Sequence, residues 1–439
     1  MSAPQIAIVG AGPSGLYLAD ALGRKLPTAM IDIFDRLPTP FGLVRGGVAP
    51  DHQGTKNISR QFERTLAKPG VGFHGNVEVG RDVSADELRA SHDVIVLATG
   101  ALEDRHLGIP GEHLDRVYGS GAFVGWYNGI PDHRDLGPRL DATAVAIIGN
   151  GNVALDIARL FAKSPGELAG ADLCAHARDA FASGSVGDIY IIGRRGPADA
   201  SFTSAELAEF GELELAAPVI AAADIPDRLP EGLADEAAKV AERNLGILRG
   251  FAAADTQANA ETRPRRVHFL FHASPLAIHG HDQVEAIELE SRSGKGKFML
   301  PVGVVITAIG YRSRALPGFP FDAENGRFPN QDGRVAPGVY AAGWCRRGPQ
   351  GVVPANRADA LGVAELIASD LATSPPAESR PGMAAILPLL AARGVRRVDF
   401  AGWQKINAAE VAAGAADGRP REKLTRIEAL LGAAGVATA

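Results

Sequence analysis

Cysteine is scarce in this sequence, with only Cys174 and Cys345 among 439 residues. Two cysteines so far apart exclude a disulfide framework, a four-cysteine iron–sulfur cluster and a CxxC redox pair. A basic surplus is also lacking, since 45 Lys and Arg face 51 Asp and Glu, which argues against a nucleic-acid partner. No apolar run approaches the roughly 18 residues that a membrane span requires.

These absences favour a cytoplasmic protein without nucleic-acid or membrane partners, and we assign no metal-ligating residues. The first strand-like run starts at Gln5, so we expect no signal or transit peptide before it. At roughly 150 residues per domain, the length predicts two or three domains. Glycine is abundant, at 52 residues, which predicts tight turns and close backbone approaches.

The chain opens with a pattern typical of a β-α-β unit. The β-branched run Gln5–Val9 leads into a glycine-rich turn, a helical apolar spacing follows, and a second strand-like run over residues 28–34 ends at Asp35. Such units build parallel sheets, so the fold class is α/β. Further buried strands are predicted at Val94–Ala98, Ala144–Ile148, Ile189–Ile192 and Val302–Ala308.

The first glycine-rich turn, Gly10-x-Gly12-x-x-Gly15, predicts a dinucleotide site. The three glycines allow the turn, the approach of a pyrophosphate to the backbone and close packing of helix on strand. The helix that follows offers free N–H groups and a positive dipole end to phosphates. Asp35 stands 35 − 15 = 20 residues after Gly15, where a carboxylate accepts hydrogen bonds from an adenosine ribose.

A second turn, Gly149-x-Gly151-x-x-Ala154, follows another predicted strand. The next strand ends in Arg194 and Arg195 instead of an acid. Arginine at this position pairs with the 2′-phosphate of NADP, whereas an acid would accept the 2′-hydroxyl of NAD. The two turns therefore predict two different dinucleotides in one chain, the second with a preference for NADP.

Longer motifs stand in a definite order along the chain. They are FGLVRGGVAPDH (41–52), GNVEV (75–79), FVGWYN (123–128), GNGNVALD (149–156), GRRGP (193–197), IGYRS (309–313) and GWCRRGPQGV (343–352). Together they resemble the adrenodoxin-reductase-like ferredoxin–NADP reductases of mitochondria and actinobacteria. The resemblance runs from about residue 4 to 372.

The resemblance implies FAD at the first turn and NADP(H) at the second. The residues that it assigns to FAD are Gly10, Gly12, Ser14, Gly15, Asp35, Leu43, Val79, Trp344, Gly351, Val352 and Val353. The residues that it assigns to NADP(H) are Asn150, Gly151, Asn152, Val153, Arg194, Arg195 and Glu206, with Gly351 near the nicotinamide end. It also implies that His52, Glu209 and Trp344 lie by the reacting rings, where His52 and Glu209 orient and tune rather than supply a proton.

The order of the motifs implies two nested Rossmann-like dinucleotide-binding domains and a C-terminal extension. The FAD-binding domain comprises residues 1–104 and 314–375, and the NADP-binding domain comprises residues 105–313. Residues 376–439 are Ala-rich, carry no recognisable chemical motif, and are interpreted as an appended extension with a helix at Arg421–Leu431.

The function implied is that of an enzyme, an NADPH:ferredoxin oxidoreductase that passes electrons singly to a ferredoxin or similar iron–sulfur carrier. Two alternatives remain open: an FAD-dependent NADPH oxidase or monooxygenase-like oxidoreductase, and a non-catalytic NADPH-binding redox module. The stretch around Glu206 lacks the basic residues that relatives offer to the acidic carrier. Two arginine clusters are hypothesised to replace them: Arg263, Arg265 and Arg266, or Arg346 and Arg347.

Overall fold

The computed structural model describes residues 3–254, 262–291, 294, 296–351, 354–375 and 378–436, and the chain divides into two compact units. The first unit comprises Met1–Glu103, Asn128–Arg134 and Tyr311–Ala439. The second comprises Asp104–Tyr127 and Asp135–Gly310. The assignment of one nucleotide to each unit stays a prediction at this point.

Strands and helices alternate along much of the chain. The strands are β1 Gln5–Val9, β2 Met30–Asp35, β3 Val71–Gly75, β4 Val94–Leu97, β5 Glu103–Asp104, β6 Val117–Gly119, β7 Ala144–Ile148, β8 Asp188–Ile192, β9 Ala216–Val219, β10 Arg265–Leu270, β11 Ala273–His279, β12 Ala286–Ser291, β13 Gly296–Pro301, β14 Val304–Thr307, β15 Tyr311–Arg312, β16 Arg334–Ala336 and β17 Val339–Ala341. The helices are α1 Pro13–Lys25, α2 Leu43–Gly46, α3 Gln53–Lys56, α4 Ser59–Leu66, α5 Ala85–Ser91, α6 Ser120–Tyr127, α7 Asn152–Ala162, α8 Ala175–Ser183, α9 Ser204–Ala208, α10 Asp235–Ala253, α11 Trp344–Arg347, α12 Ala355–Thr373, α13 Met383–Ala392, α14 Phe400–Ala416 and α15 Ile427–Ala434.

The first unit is built on a six-stranded sheet in the order β16-β17-β4-β1-β2-β3. All neighbouring pairs are parallel except β16–β17. Strand β1 lies between β2 and β4, with Val9 opposite Phe34 and Leu97. The carboxyl ends of these three strands therefore meet at one edge, where open α/β sheets bind ligands.

The second unit contains a six-stranded parallel sheet in the order β6-β14-β7-β8-β10-β9. A separate antiparallel sheet has the order β11-β12-β13. Strand β7 lies between β14 and β8, so the turn after Ile148 again stands at the carboxyl edge of a parallel sheet. The predicted α/β class with two Rossmann-like sheets is confirmed, and the predicted strands are present with ends shifted by at most two residues.

The C-terminal segment, interpreted from the sequence as an extension, belongs to the first unit and contributes to its core. Trp403, Ile406 and Leu430 are buried in the same core cluster as β1 and α1, and Ile386 and Leu390 are buried against β4 and β17. The helix predicted over Arg421–Leu431 begins only at Ile427, and residues 421, 422 and 424 instead donate hydrogen bonds to Asn407 and Glu410 of α14. Helices α13 and α14 were not predicted from the sequence, because alanine occupies many of their positions and obscures the helical spacing of the larger apolar residues.

A predicted pH dependence arises where α5 meets the C-terminal segment. The Arg393 guanidinium donates to Glu87 at 2.6 and 3.0 Å. These hydrogen bonds, followed by the one from the Ser84 backbone, lower the pKa of Glu87 from 4.5 to about 2. A carboxyl whose pKa is lowered on folding stabilises the protein fully above its unfolded pKa, and this stability is lost as the pH falls through the folded value.

We therefore expect Glu87→Gln to lower Tm by about 2 °C at pH 7, since the pair is partly exposed. At pH 3 less than half of that difference should remain. Thermal melts at both pH values check this, with Asp86→Asn on the same helix as the control, expected within about 1 °C of the wild type. A Glu87→Gln deficit as large at pH 3 as at pH 7 would contradict the assignment.

The helices of the described residues include none with the length and apolar character that a membrane span needs.

Candidate functional site

The first glycine turn has the backbone geometry that its sequence predicts. Gly10 has φ +115°, and a Cβ there would lie 2.4 Å from the Ala98 carbonyl oxygen. A Cβ on Gly15 would lie 2.1 Å from the Gly10 oxygen, so this glycine lets α1 pack on β1. At Gly12 the nearest atom to an added Cβ is the Gly42 Cα at 3.8 Å. The turn therefore leaves space only at its middle glycine, Gly12, which is the N-cap of α1 and is where a pyrophosphate would approach.

A second loop closes against this turn. The Phe41 N–H donates to the Ala11 carbonyl at 2.8 Å, and a Cβ on Gly42 would lie 2.9 Å from the Gly12 Cα. Phe41 has φ +84°, an unfavourable conformation for a residue with a bulky side chain. Such strain persists only where the surroundings hold it, and it is concentrated at ligand sites. The loop ends at Leu43, which begins the short helix α2 and is partly buried.

Asp35 ties the end of β2 to the glycine turn. Its carboxylate accepts from the Ala11 N–H at 2.8 Å and from the Leu37 N–H at 2.9 Å. Burial raises the pKa of Asp35, and the two backbone hydrogen bonds oppose that rise. Each carboxylate oxygen accepts one of these bonds and keeps a further lone pair. Asp35 therefore holds the turn and retains the capacity to accept hydrogen bonds from a ribose.

The start of α1 also meets the motif that begins at Gly343. Ser14 is buried and donates to the Asn356 side-chain oxygen at 3.3 Å, at the first turn of α12. A Cβ on Gly343 would lie 1.9 Å from the Ser14 hydroxyl oxygen, so the Gly343 backbone lies directly against the Ser14 side chain. The structure therefore brings together Ser14 and the residue before Trp344, which lie more than 300 positions apart in the sequence.

The Trp344 ring is held in place by two partners. It stacks on Tyr311 with centroids 6.4 Å apart, and its indole N–H donates to the Gln350 carbonyl at 3.1 Å. Gly351 has φ +82° and lies shortly before α12, which begins at Ala355. Val352 and Val353 lie outside the described residues. The other predicted FAD contact, Val79, is buried in the loop that follows β3.

The second glycine turn repeats the geometry of the first. Gly149 has φ +138°, and a Cβ there would lie 2.2 Å from the Ala308 oxygen. At Gly151 an added Cβ would meet nothing within 4 Å. Asn152 starts α7 and its side-chain oxygen accepts from the Thr203 N–H at 2.8 Å, while Val153 packs against the core. Again the middle glycine faces open space at a helix N-terminus, as a pyrophosphate site requires.

Asn150 carries a polar atom that the described residues leave unsatisfied. Its side-chain nitrogen is buried and has no hydrogen-bond partner there. It lies against Gly193, where a Cβ would approach it to 2.7 Å. A buried donor without a partner is costly, and a ligand acceptor is one way to satisfy it. The residues present at both turns therefore fit bound dinucleotides.

Arg194 and Arg195 are exposed directly after β8. Arg195 makes a long contact with the Ser201 hydroxyl at 3.5 Å, and within the described part of the chain neither guanidinium forms an ion pair. The Ser201 N–H in turn donates to the Asn150 carbonyl at 3.0 Å. Two positive charges without carboxylate partners thus stand beside the second turn, where the sequence places a 2′-phosphate.

Arg159 is a residue of this region that the sequence analysis missed. It lies on α7, is fully buried, and its guanidinium pairs with Asp156 at 2.7 Å, Glu206 at 3.0 Å and Glu209 at 3.2 Å. The predicted NADP contact Glu206 and the predicted ring-side Glu209 are therefore held by one cation. The available signal was an arginine within the apolar spacing of α7, three residues after an aspartate.

We expect Arg159→Met to lower the free energy of unfolding by about 3 kcal/mol, because removing one partner leaves the carboxylates uncompensated. Arg266→Met is the matched control: Arg266 pairs with Asp188 at 3.0 Å on the surface, and its loss should lower that free energy by about 1 kcal/mol or less. Urea unfolding followed by circular dichroism measures both values. Equal losses for the two variants would contradict the special position of Arg159.

Glu209 and His52 have only partly predictable positions. Glu206 lies in α9, and Glu209 begins the short 3-10 helix that directly follows α9. His52 is half-buried before α3, where its N–H donates to the Ala49 carbonyl at 3.0 Å. Their roles beside the nicotinamide stay predictions.

Four of the five arginines hypothesised to dock a carrier make contacts within the chain. Arg265 donates to the Phe161 and Lys163 carbonyls at 2.9 Å each, and Arg266 pairs with Asp188. Arg346 and Arg347 both pair with the buried carboxylate of Asp359, at 2.5 and 3.2 Å. These four arginines therefore have partners within the chain, and the docking role of either cluster stays a prediction.

Neither cysteine has the environment of a reactive thiol pair. Cys174 and Cys345 are both buried and unbridged. The Cys345 thiol donates to the Leu97 and Ala342 carbonyls at 3.1 and 3.2 Å, and burial raises its pKa. A thiol–disulfide reaction needs an accessible thiolate, so Cys345 is unsuited to it.

Comparison with known proteins decides the family. The sequence model of the pyridine nucleotide-disulphide oxidoreductase family matches residues 4–358 of the chain. The chain belongs to this family. Within it, the chain is 40% identical over 460 residues to the human mitochondrial NADPH:adrenodoxin oxidoreductase, which covers 98% of this chain and 91% of the human one. It is 39% identical over 457 residues to the NADPH-ferredoxin reductase FprA of Mycobacterium tuberculosis, with 97% and 98% covered.

A solved structure supports the same placement within the pyridine nucleotide-disulphide oxidoreductases. The structure of Mycobacterium tuberculosis FprA in complex with NADPH superimposes with a TM-score of 0.91 at 37% identity, over 98% of this chain and 99% of that one. The predicted resemblance to adrenodoxin-reductase-like proteins is therefore confirmed, and the aligned region includes the C-terminal segment.

Proposed function

We propose that this chain is an NADPH:ferredoxin oxidoreductase, an enzyme that moves electrons from NADPH to a ferredoxin-type iron–sulfur protein. One observation carries the proposal. Two glycine turns have the same geometry, but the strand that follows each turn ends in opposite chemistry: a carboxylate at Asp35, and at Arg194 and Arg195 two guanidiniums that form no ion pair with any described residue. Similarity to NADPH-dependent reductases over 97–98% of the chain supports the same function.

The first turn is proposed to hold FAD. FAD, when bound, accepts two electrons as a hydride and releases them one at a time, which joins a two-electron donor to a one-electron acceptor. Gly12 leaves room for the pyrophosphate at the start of α1, and Asp35 offers carboxylate oxygens to the ribose. Trp344, fixed by Tyr311 and Gln350, is proposed to present an aromatic surface to the isoalloxazine.

The second turn is proposed to bind NADPH. Gly151 leaves the N-terminus of α7 open to the pyrophosphate, and the orphan side-chain nitrogen of Asn150 can donate to the ligand. Arg194 and Arg195 are proposed to clamp the 2′-phosphate, because planar guanidiniums make paired, charge-assisted hydrogen bonds to phosphate. His52 and Glu209 are proposed to orient the nicotinamide without exchanging protons with it.

The electron count fixes the stoichiometry of the reaction. One NADPH yields NADP⁺, one proton and two electrons, and these reduce two one-electron iron–sulfur carriers. The cysteines need not take part, and the buried, raised-pKa thiol of Cys345 is consistent with a reductase that uses no disulfide. The free thiols of Cys174 and Cys345 also favour a reducing compartment, and we propose a cytoplasmic location.

The test is NADPH-dependent reduction of cytochrome c, measured with and without a panel of ferredoxins. The purified protein should show a yellow flavin spectrum, and ferredoxin should raise the rate at least tenfold. Colourless protein that binds NADPH would favour a non-catalytic module. Yellow protein that consumes oxygen with NADPH at the same rate with or without ferredoxin would favour an oxidase.

A further inference from the structure

The C-terminal segment holds both loops that line the proposed FAD site. This inference rests on the proposed function, since it concerns the residues around FAD. One loop, residues 41–48, follows β2 and contains Leu43. The other, residues 75–79, follows β3 and contains Val79. Residues 396–424, called here the C-terminal clamp, contact both loops within the first unit.

The principal contact is a buried ion pair 365 positions apart in the sequence. Arg45 donates to both carboxylate oxygens of Glu410, at 2.7 and 2.5 Å. The Arg45 side chain is 9% exposed and that of Glu410 is fully buried. The Arg45 guanidinium also lies over the Trp403 ring, 5.5 Å from its centroid. This bidentate, stacked geometry is specific to arginine.

Glu410 is itself fixed by its own segment. Its carboxylate accepts from the Leu424 N–H at 2.9 Å and from Arg421 at 3.3 Å. Burial alone would raise the pKa of Glu410, but the charge and hydrogen bonds of Arg45, with those of Leu424 and Arg421, bring the pKa below its usual value. Glu410 is therefore a rigid, charged anchor for Arg45.

The loop that Arg45 belongs to needs an external restraint. Phe41 has φ +84°, and Gly42 is in close contact with Gly12, the residue proposed to face the pyrophosphate. The Phe41 ring meets Trp403 of the clamp edge-on, with centroids 5.3 Å apart. Strained backbone at a ligand site persists only when contacts with the surrounding structure hold it in place. Here the clamp supplies such contacts through Trp403 and through the Arg45–Glu410 ion pair.

The clamp grips the other loop by backbone pairing. Gly75 and Val398 exchange two backbone hydrogen bonds at 2.8 and 2.9 Å. Asn76, with φ +58°, donates to the Arg396 carbonyl at 2.9 Å. The clamp also contacts the far end of the first loop through Asn128. Lys423 donates to the Asn128 side-chain oxygen at 3.0 Å, and the Asn128 side-chain nitrogen donates to the Val48 carbonyl at 3.3 Å.

We infer that the C-terminal clamp is a positioning element for FAD and that Glu410 is its positioning residue. Glu410 acts through Arg45, which keeps the strained loop seated against the glycine turn, so it need not touch the cofactor. The clamp therefore sets how tightly FAD is held, in addition to completing the core.

The test compares Glu410→Gln with Glu428→Gln in the holoenzyme. Glu428 pairs with Arg396 but is two-thirds exposed, so its variant removes a carboxylate of the same region without loosening the loop. FAD release is followed by flavin fluorescence on dilution, well below the Tm of each variant. We expect at least a tenfold higher Kd for FAD in Glu410→Gln and a change within twofold in Glu428→Gln. The Kd for NADP⁺ should stay within twofold in both.

Arg45→Lys keeps the test decisive if Glu410→Gln does not fold. It retains a positive charge opposite Glu410 but loses the two-pronged contact and the stacking on Trp403, and should raise the Kd for FAD three- to tenfold. Folded variants with a lowered Tm but an unchanged Kd for FAD would overturn the inference, since that is the result of a merely structural role. A wild-type protein that binds no FAD would instead overturn the proposed function.

Discussion

The double variant Arg194→Ala/Arg195→Ala is expected to lose two to three orders of magnitude in kcat/KM with NADPH. Each guanidinium is proposed to make charge-assisted hydrogen bonds to the 2′-phosphate, and such bonds contribute about 1.5–3 kcal/mol each. Together they could contribute about 3–6 kcal/mol, and because both side chains are exposed we take the lower part of that range, about 3–4 kcal/mol, at about 1.4 kcal/mol per tenfold. NADH has no 2′-phosphate, so its kcat/KM should stay within about threefold of the wild-type value.

Steady-state kinetics with both nucleotides separates this role from a general loss of charge. Arg243→Ala is the matched control, because Arg243 is an exposed arginine of α10 in the same unit. It should leave both kcat/KM values within about twofold. Equal losses with NADPH and NADH in the double variant would refute recognition of the 2′-phosphate, since a lost pyrophosphate contact or a misfolded unit affects both nucleotides alike.

The second large effect is expected at the first glycine turn, where Gly12→Ala should weaken FAD binding at least about 100-fold. The added Cβ meets no protein atom closer than 3.8 Å, so it clashes with nothing in the fold. It does occupy the space in front of α1 that the pyrophosphate needs. The free energy of unfolding of the FAD-free form should change by only about 0.5–1 kcal/mol, the usual cost of alanine at a helix N-cap.

Absorbance of the purified protein near the flavin bands measures the FAD content, and fluorescence titration measures its Kd. Gly23→Ala on the same helix is the control: its added Cβ meets nothing within 4 Å, and alanine in a helix should stabilise the protein by about 0.5–1 kcal/mol. It should keep its full flavin content. Normal FAD affinity in Gly12→Ala would exclude the pyrophosphate from this turn.

Much of both proposed sites was predictable because the geometry is local. The glycines at 10, 12 and 15 and at 149 and 151 are required by backbone conformations within a few residues, so their spacing alone predicts turn, helix start and ligand. Asp35 and Arg194 follow the next strand of a β-α-β unit, and parallel pairing brings the ends of adjacent strands together. The order of the longer motifs then predicted the family.

The contacts that fix these residues were not predictable. Ser14 against Gly343, Arg45 with Glu410, and Arg159 between two helices and a 3-10 turn all join segments whose separation carries no periodic signal. The contacts of the C-terminal segment were not predictable for the same reason. Because the segment is rich in alanine, its sequence does not reveal that Trp403 and Ile406 are core residues. They are buried only because the folded chain places them in the same core cluster as β1 and α1.

The amino-acid sequence by itself determined the two glycine turns of the proposed nucleotide sites and the opposite charges, acidic and basic, that distinguish them. Glycine conformation and side-chain charge act over a few residues, so they can be read from the sequence. Only the tertiary structure decided which contacts hold those proposed sites in their conformation. Ion pairs, tryptophan stacking and backbone pairing between distant segments depend on which surfaces the completed sheets bring within a few ångströms, and no local pattern encodes that distance.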